Sequence, residues 1–205
     1  KFAYGYSRYS CPFSICPIKE RLFERQPKRG DVVVFRHPVN GKDFVKRLVG
    51  IPGDRIFLKE GKLFINKQQI QSTKVQDFLE VKNSQGPLRS MPRCSNAPVA
   101  LGGDCSKTHF KEQLTEDVIH SVLDIGQYYG DNTPEFEVPN GQYFFLGDNR
   151  DNSLDSRFGL ASGGVGYVPK NYLIGRVDRI IFSSAGSSMF FFWTWRADRF
   201  FKAII

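Results

Sequence analysis

The sequence predicts a mainly β protein with few helices. Its 205 residues include 19 Phe and 8 Tyr but only 2 Met, together with 19 Gly and 11 Pro. Aromatic residues favour strands, whereas Gly and Pro favour turns. No long 3.6-residue periodicity precedes the C-terminal region, so long amphipathic helices are not predicted. A chain of this length can bury one core, either as a single domain or as one domain with an insertion.

Short apolar runs separated by turn residues predict the strands of this core. Residues 32–35 form a continuous apolar run, which is typical of a buried strand. A polar hairpin at residues 40–42 leads from this run into residues 43–50. After a Pro-Gly-Asp turn, residues 55–58 and 62–65 are expected to pair as a second hairpin.

The chain changes character at about residue 71, where polar residues become frequent. We expect residues 71–140 to form an inserted, smaller β lobe that includes a weak strand at 119–123. Residues 1–70 and 141–182 then make up the main β core. Residues 183–205 combine a linker of small residues with an aromatic and basic tail.

The net charge of +8 suits two kinds of partner, nucleic acid or an anionic membrane surface. The basic residues are scattered and no nucleic-acid-binding motif is present, so no nucleic acid partner is expected. Residues 189–202 mix Phe and Trp with Arg and Lys, a combination typical of a membrane interface. The alternative for this tail is a C-terminal helix that docks its aromatic side chains on the core.

Two of the four cysteines are a candidate disulfide. Cys94 and Cys105 bracket a loop rich in Ser, Asn, Pro and Gly, where a bridge would stabilise the fold by about 3 kcal/mol. No pair of cysteines has the close spacing of a zinc or redox site, and the three histidines are too scattered to suggest a metal site. A disulfide would suit an oxidising compartment outside the cytoplasm.

A dense polar segment at residues 147–157 follows the apolar run at residues 142–146. It holds three Asp, two Asn, two Arg and two Ser directly behind a predicted strand. Loops on rigid scaffolds often carry functional sites, although a plain turn explains this composition equally well.

Lys46 is the second candidate for a chemical role. Strand alternation places it on one face between Phe44 and Leu48, while Arg47 points to the other face. Large apolar neighbours favour the neutral amine, which can accept a proton from a serine hydroxyl. The alternative is a lysine at a sheet edge whose ammonium group reaches into water.

Together, these two segments resemble the signature motifs of type I signal peptidases, the bacterial leader peptidases that use a Ser/Lys dyad. Lys46 is followed by Arg-Leu-Val-Gly-Ile-Pro-Gly-Asp, and residues 147–157 read Gly-Asp-Asn-Arg-Asp-Asn-Ser-Leu-Asp-Ser-Arg. The resemblance covers residues 1–5, 27–55 and 141–177, which is under half of the chain.

The resemblance implies a role for each motif residue. Lys46 would be the general base, and Ser153 would contact and orient its amine. Asp155 and Arg157 would pair to support the site, while Asp148 and Arg150 would hold the turn. The fold implied is a signal-peptidase-like antiparallel β core with an inserted smaller lobe, and no metal or cofactor is implied.

The implied activity is removal of signal peptides from exported preproteins by cleavage after small residues at an Ala-x-Ala-like site. The substrate would lie as an extended strand beside the lysine strand, with Phe44 and Val45 as pocket and backbone contacts. The implied location is the outer face of the bacterial inner membrane, and we expect a monomer.

One departure from the family pattern concerns the nucleophile. The family's serine lies in a Ser-x-x-x-Pro segment shortly before a Lys-Phe-Ala-Tyr-Gly-like stretch, which here is residues 1–5. The serine and a membrane anchor are therefore expected upstream, and residues 1–205 alone are expected to be inactive. Ser10, Ser14 and Ser90 do not stand in the pattern, so none of them is assigned as the nucleophile.

Two other functions remain open at this stage. One is another Ser/Lys processing peptidase, such as a pilin maturation protease or a self-cleaving repressor. The other is a non-catalytic β-rich module at the membrane surface, in which the polar segment is only a structural turn.

Overall fold

The computed structural model describes residues 3–11, 16–18, 20–85, 89–184, 186 and 190–204. Ser14, and residues 185, 187–189 and 205 of the linker and tail, lie outside these ranges. The described strands are β1 Val32–Arg36, β2 Asp43–Gly50, β3 Arg55–Lys59, β4 Lys62–Ile65, β5 Gln68–Gln69, β6 Gln71–Lys74, β7 Phe78–Val81, β8 Asp104–Thr115, β9 Val118–Asp124, β10 Phe136–Glu137, β11 Gln142–Leu146, β12 Val168–Pro169, β13 Leu173–Arg176, β14 Arg179–Ile180 and β15 Lys202–Ala203.

The described helices are all short 3-10 turns. They are Arg8–Ser10, Tyr129–Asp131, Arg150–Asn152, Leu160–Ser162, Lys170–Tyr172, Phe192–Thr194 and Ala197–Arg199. The fold is therefore mainly β with few helices, as predicted. None of these helices is long and apolar enough to cross a bilayer.

A five-stranded antiparallel sheet, here called the core sheet, carries the lysine strand. Its order is β12-β11-β2-β1-β13. The predicted hairpin between β1 and β2 forms, with Val34 opposite Val45. β11 lies on the other side of β2 and pairs only with its second half, with Leu146 opposite Arg47. The loop that follows Leu146 therefore leaves the sheet directly beside the lysine strand.

A second sheet has the order β10-β3-β4-β5. It contains the predicted hairpin of β3 and β4, in which Phe57 lies opposite Phe64 and their rings stack. β10 pairs with β3, with Phe136 opposite Ile56. The end of the 71–140 stretch therefore joins this second sheet.

The remaining strands of the 71–140 stretch form a third sheet around β8. This long strand pairs with β6 and β7 on one edge and with β9 on the other. The sequence did not predict β8, because the residues that it buries include Lys107 and Glu112 as well as Cys105 and Leu114. Charged residues on the buried face hide the alternation that marks a half-buried strand.

Two hydrophobic clusters pack on opposite faces of the core sheet. Leu48 and Phe145 belong to one cluster, whereas their chain neighbours Val49 and Phe144 belong to the other, which also contains apolar residues of β3 and β4. β1 is less uniformly covered than its apolar run predicted. Its side chains alternate between buried and half-buried, because only one face of this strand lies against a full cluster.

Disulfides link Cys94 to Cys105 and Cys11 to Cys16. The first closes the loop that leads into β8. The tail does not form an α-helix in residues 190–204. It turns back instead, and β15 pairs with β14, with Ile180 opposite Lys202.

Candidate active site

Lys46 and Ser153 meet at the end of the core sheet. The Lys46 Nζ donates a hydrogen bond to the Ser153 Oγ at 2.6 Å. Lys46 lies on β2, and Ser153 directly follows the 3-10 turn Arg150–Asn152 in the loop after β11. Since β11 pairs with β2, the strand order itself brings this loop to the lysine.

The surroundings of Lys46 favour its neutral form. Burial lowers the pKa of the Lys46 ammonium below its ordinary value, Asp155 and Asp148 raise it, and Arg157 lowers it. Each of these two carboxylates has an arginine partner, Arg157 for Asp155 and Arg47 for Asp148. The pairing weakens the pull that each carboxylate exerts on a proton at Nζ.

Asp155 and Arg157 form a fully buried ion pair. The Asp155 Oδ1 accepts from the Arg157 Nε at 2.9 Å, and its Oδ2 accepts from the Gly147 backbone N–H at 3.0 Å. A buried ion pair persists only when its remaining polar atoms are also satisfied. Asp155 meets this condition by binding both its arginine partner and the start of the loop.

Asp148 and Arg150, the two residues expected to hold the turn, each pair with a residue outside it. Asp148 accepts two hydrogen bonds from Arg47, at 2.9 and 2.8 Å, in a bidentate geometry. Arg150 donates to the Glu112 carboxylate of β8 at 2.7 Å, and both of these side chains are buried. The two charged residues of the turn are thus fastened to different parts of the fold.

Gly147 permits the close approach of the loop to the lysine. A Cβ atom at this position would overlap the Ser153 side chain and lie 3.4 Å from the Lys46 Nζ. Only glycine leaves room for this packing. Ser153 itself is buried, at 6% exposure.

Phe44 and Val45 lie just ahead of the lysine on β2. Phe44 is half-buried and packs near Phe35 and His37, whereas Val45 is 54% exposed. On the side of residues 43–46 that faces away from β1, no described strand pairs with β2, because β11 begins its pairing at Arg47. The lysine therefore stands beside an unpaired edge within the described part of the chain.

The structure does not bring the other serines considered in the sequence to the lysine. Ser10 accepts from the Ser7 backbone in a 3-10 turn, and Ser90 pairs with Gln85 through its backbone. Within the described residues, Ser153 is the hydrogen-bond partner of the Lys46 amine.

A model of a known protein family matches most of the chain. The family model described as signal peptidase, peptidase S26, matches residues 1–182.

The chain belongs to the S26 signal peptidase family.

Curated S26 relatives are similar over most of the chain. Signal peptidase I of Rickettsia typhi (strain ATCC VR-144 / Wilmington) is 38% identical over 187 residues, a match that covers 90% of this chain and 64% of the relative. Signal peptidase I of Rickettsia akari (strain Hartford) is 39% identical over 187 residues, covering 90% of this chain and 63% of the relative. The chain thus spans somewhat less than two thirds of the length of these relatives.

A crystal structure of a signal peptidase I from Enterococcus faecalis V583 is also similar. It is 22% identical and gives a TM-score of 0.39, with 75% of this chain and 97% of that chain covered.

Three side chains that hold residues 147–157, here called the motif loop, were not predicted from the sequence. Arg47 was assigned only a strand face, and Glu112 and Arg93 were not singled out. Arg93 donates to the Asp151 carbonyl oxygen at 2.7 Å from a position next to Cys94. Nothing in the local sequence of Glu112 or Arg93 signals these contacts, since both partners lie more than 35 positions further along the chain.

Proposed function

We propose that this protein is a serine endopeptidase with Lys46 as general base, which removes signal peptides from exported preproteins. The observation that carries the proposal is the Lys46–Ser153 hydrogen bond in a partly buried setting that lowers the lysine pKa. Burial makes this amine easier to deprotonate than an exposed lysine, and a neutral amine can accept a proton from a serine hydroxyl.

In the first step a serine hydroxyl attacks the carbonyl carbon of the scissile bond while Lys46 takes the hydroxyl proton. Lys46 then delivers this proton to the leaving amine as the C–N bond breaks. Water, deprotonated in turn by Lys46, hydrolyses the acyl ester and restores the serine. This sequence follows the logic of Ser/Lys variants of the catalytic triad.

We assign Ser153 as the residue that orients Lys46, and we place the nucleophile on a Ser-x-x-x-Pro segment before Lys1. The Ser153 hydroxyl is buried and packed against Gly147, so a peptide carbonyl has little room to approach it. Asp155 and Arg157 would support the loop from within, and Asp148 and Arg150 would fix its turn.

The unpaired edge of β2 is the proposed binding site for the substrate strand. An extended peptide can add to such an edge through main-chain hydrogen bonds, which give affinity with little demand on sequence. Val45 would supply backbone contacts beside the lysine, and Phe44 would form part of a shallow apolar pocket. Such a pocket suits the small side chains of an Ala-x-Ala-like site.

We place the protein as a monomer on the outer face of the bacterial inner membrane, with its tail at the lipid surface. In this arrangement residues 1–70 and 141–182 are the catalytic core, residues 71–140 are an inserted lobe, and residues 183–205 are the linker and tail. The exposed Phe192, Trp193 and Phe201 side chains support contact with a membrane interface.

The direct test is preprotein cleavage by the full-length protein, including the segment before Lys1. Lys46→Ala should lower kcat by about 10²–10⁴-fold, the contribution of a positioned general base. Lys46→Arg should be equally inactive, because a guanidinium stays protonated. Lys59→Ala, an exposed lysine on β3, is the matched control and should leave the rate unchanged.

Three outcomes would distinguish the alternatives. Cleavage that survives in Lys46→Ala would disprove the role of Lys46. Lys46-dependent cleavage of a pilin precursor or of the protein itself, without cleavage of preproteins, would indicate another Ser/Lys processing peptidase. A full-length wild type that cleaves none of these substrates would favour the non-catalytic module.

A further inference from the structure

Glu112 is a buried carboxylate of the inserted lobe that reaches the motif loop. It lies on β8, and its Oε1 accepts a hydrogen bond from the Arg150 Nη2 at 2.7 Å. Both side chains are only 4% exposed. Placing two charges in a protein interior is costly unless their geometry is well defined, so this pair fixes the relative position of lobe and loop.

Arg150 is the charged partner of Glu112, although His120 lies nearby. The His120 Nε2 is 3.5 Å from the Glu112 Oε1. Burial, followed by the charge of Arg47, lowers the pKa of His120 to about 4. The imidazole is therefore neutral at neutral pH, and the positive charge that balances Glu112 comes from Arg150.

Arg150 connects in turn to the atoms around the lysine. It opens the 3-10 turn that ends immediately before Ser153. The Arg150 carbonyl oxygen accepts from Arg157, which pairs with Asp155, and Asp155 accepts from the Gly147 backbone N–H. Gly147 packs against Ser153, so an unbroken series of contacts runs from Arg150 to the lysine's hydrogen-bond partner.

The lobe also contacts this loop through its backbone. The Leu123 N–H of β9 donates to the Asp148 carbonyl oxygen, and the Ile125 N–H donates to the Asp151 Oδ2, both at 2.8 Å. The loop is thus held by the core sheet on one side and by the lobe on the other. Among these lobe contacts, the Glu112–Arg150 pair is the one between two buried charged side chains.

We infer that Glu112 is a positioning residue for the Lys46–Ser153 pair, so that the inserted lobe takes part in setting the catalytic geometry. This inference rests on the proposed function of Lys46 as general base. Without the Glu112 carboxylate, Arg150 loses its hydrogen-bonded partner and the largest of the negative charges around it, and the side-chain tie between the lobe and the loop is broken. The turn before Ser153 then loosens, and water gains access to the lysine.

The test is Glu112→Gln in the full-length protein, assayed for preprotein cleavage over a range of pH. We expect kcat to fall at least about tenfold, part of the roughly 10²–10⁴-fold supplied by a positioned base, while KM stays within about twofold. The acid limb of the pH profile of kcat should also move to higher pH, because access of water to Lys46 raises the pKa of its amine. The charged groups that face Lys46 are Asp155, Asp148 and Arg157, and this substitution changes none of them.

A matched control separates positioning from stability. Glu80 pairs with the buried Lys107 at 2.5 Å within the same lobe, and neither residue hydrogen-bonds to the motif loop. Glu80→Gln should destabilise the lobe but leave both the kcat and the acid limb unchanged. If Glu112→Gln does not fold, the double variant Glu112→Gln with Arg150→Gln replaces it in the same assay. The double variant removes both charges of the pair, so neither is left buried without the other.

This test distinguishes failure of the inference about Glu112 from failure of the proposed function. If the full-length wild type does not cleave preproteins, the proposed function fails first. If the wild type is active, and folded Glu112→Gln or the double variant keeps the wild-type kcat and acid limb, Glu112 has no positioning role.

Discussion

At the residue scale, the site depends on how closely one loop approaches one lysine. The contact between Lys46 and Ser153 was predictable because both residues lie in segments that resemble the signature motifs of signal peptidases, and that resemblance implies the contact. Glu112 was not predictable, since its partner Arg150 is 38 positions away and the contact exists only once the lobe has folded onto the core.

Gly147 gives a sharp test of this close approach. Gly147→Ala places a methyl group where the Ser153 side chain lies, so we expect Ser153 to move away from Lys46. The loss in kcat should be at least about tenfold, with destabilisation of about 1–3 kcal/mol from overpacking. Preprotein cleavage measures the loss in kcat, and urea unfolding measures the loss of stability.

Gly159→Ala is the control for this substitution. Gly159 follows the motif loop, and a Cβ atom there meets no heavy atom within 4 Å. The Gly159→Ala variant should therefore cleave preproteins at the wild-type rate. Wild-type kcat in Gly147→Ala would show that the tight packing does not matter to the reaction.

At the element scale, the strands that follow apolar patterns were predictable and those that bury charge were not. β1 to β4 appear where their apolar runs and turns placed them. β8 escaped prediction because tertiary ion pairs, such as Lys107 with Glu80, replace apolar contacts on its buried face. Patterns of hydrophobicity cannot reveal a strand whose inward side chains are charged and paired elsewhere in the fold.

The tail is the element with the clearest physical test. Phe192 and Trp193 are each 68% exposed, and Arg199 and Lys202 follow them in the same short unit. A double variant, Phe192→Ser with Trp193→Ser, in residues 1–205 should lose most of its flotation with vesicles that contain phosphatidylglycerol. High salt should weaken the flotation of the unaltered protein, because the basic side chains contribute by charge attraction.

Leu101→Ser is the matched control for the tail, since Leu101 is 74% exposed on the loop that precedes β8. It should float as the unaltered protein does. Equal flotation of the tail variant and the control would remove the tail from any membrane contact.

At the scale of the whole molecule, the core sheet and residues 71–140 converge on one loop, residues 147–157. The core sheet supplies Lys46 and Arg47, and residues 71–140 supply Arg93 and Glu112. The mainly β class followed from composition, but this convergence did not, because it depends on how separate sheets pack. The segments that resemble the family's motifs include the loop and Arg47, but not Arg93 or Glu112.

The most direct test of the central claim is the ionisation of Lys46 itself. Competitive labelling of lysine amines with a small acylating reagent, followed over a range of pH by mass spectrometry, reports the pKa of each amine. The pKa of the Lys46 amine should lie below the ordinary lysine value, because burial disfavours its charged form. A Lys46 amine with an ordinary lysine pKa would contradict the assignment of Lys46 as a buried general base.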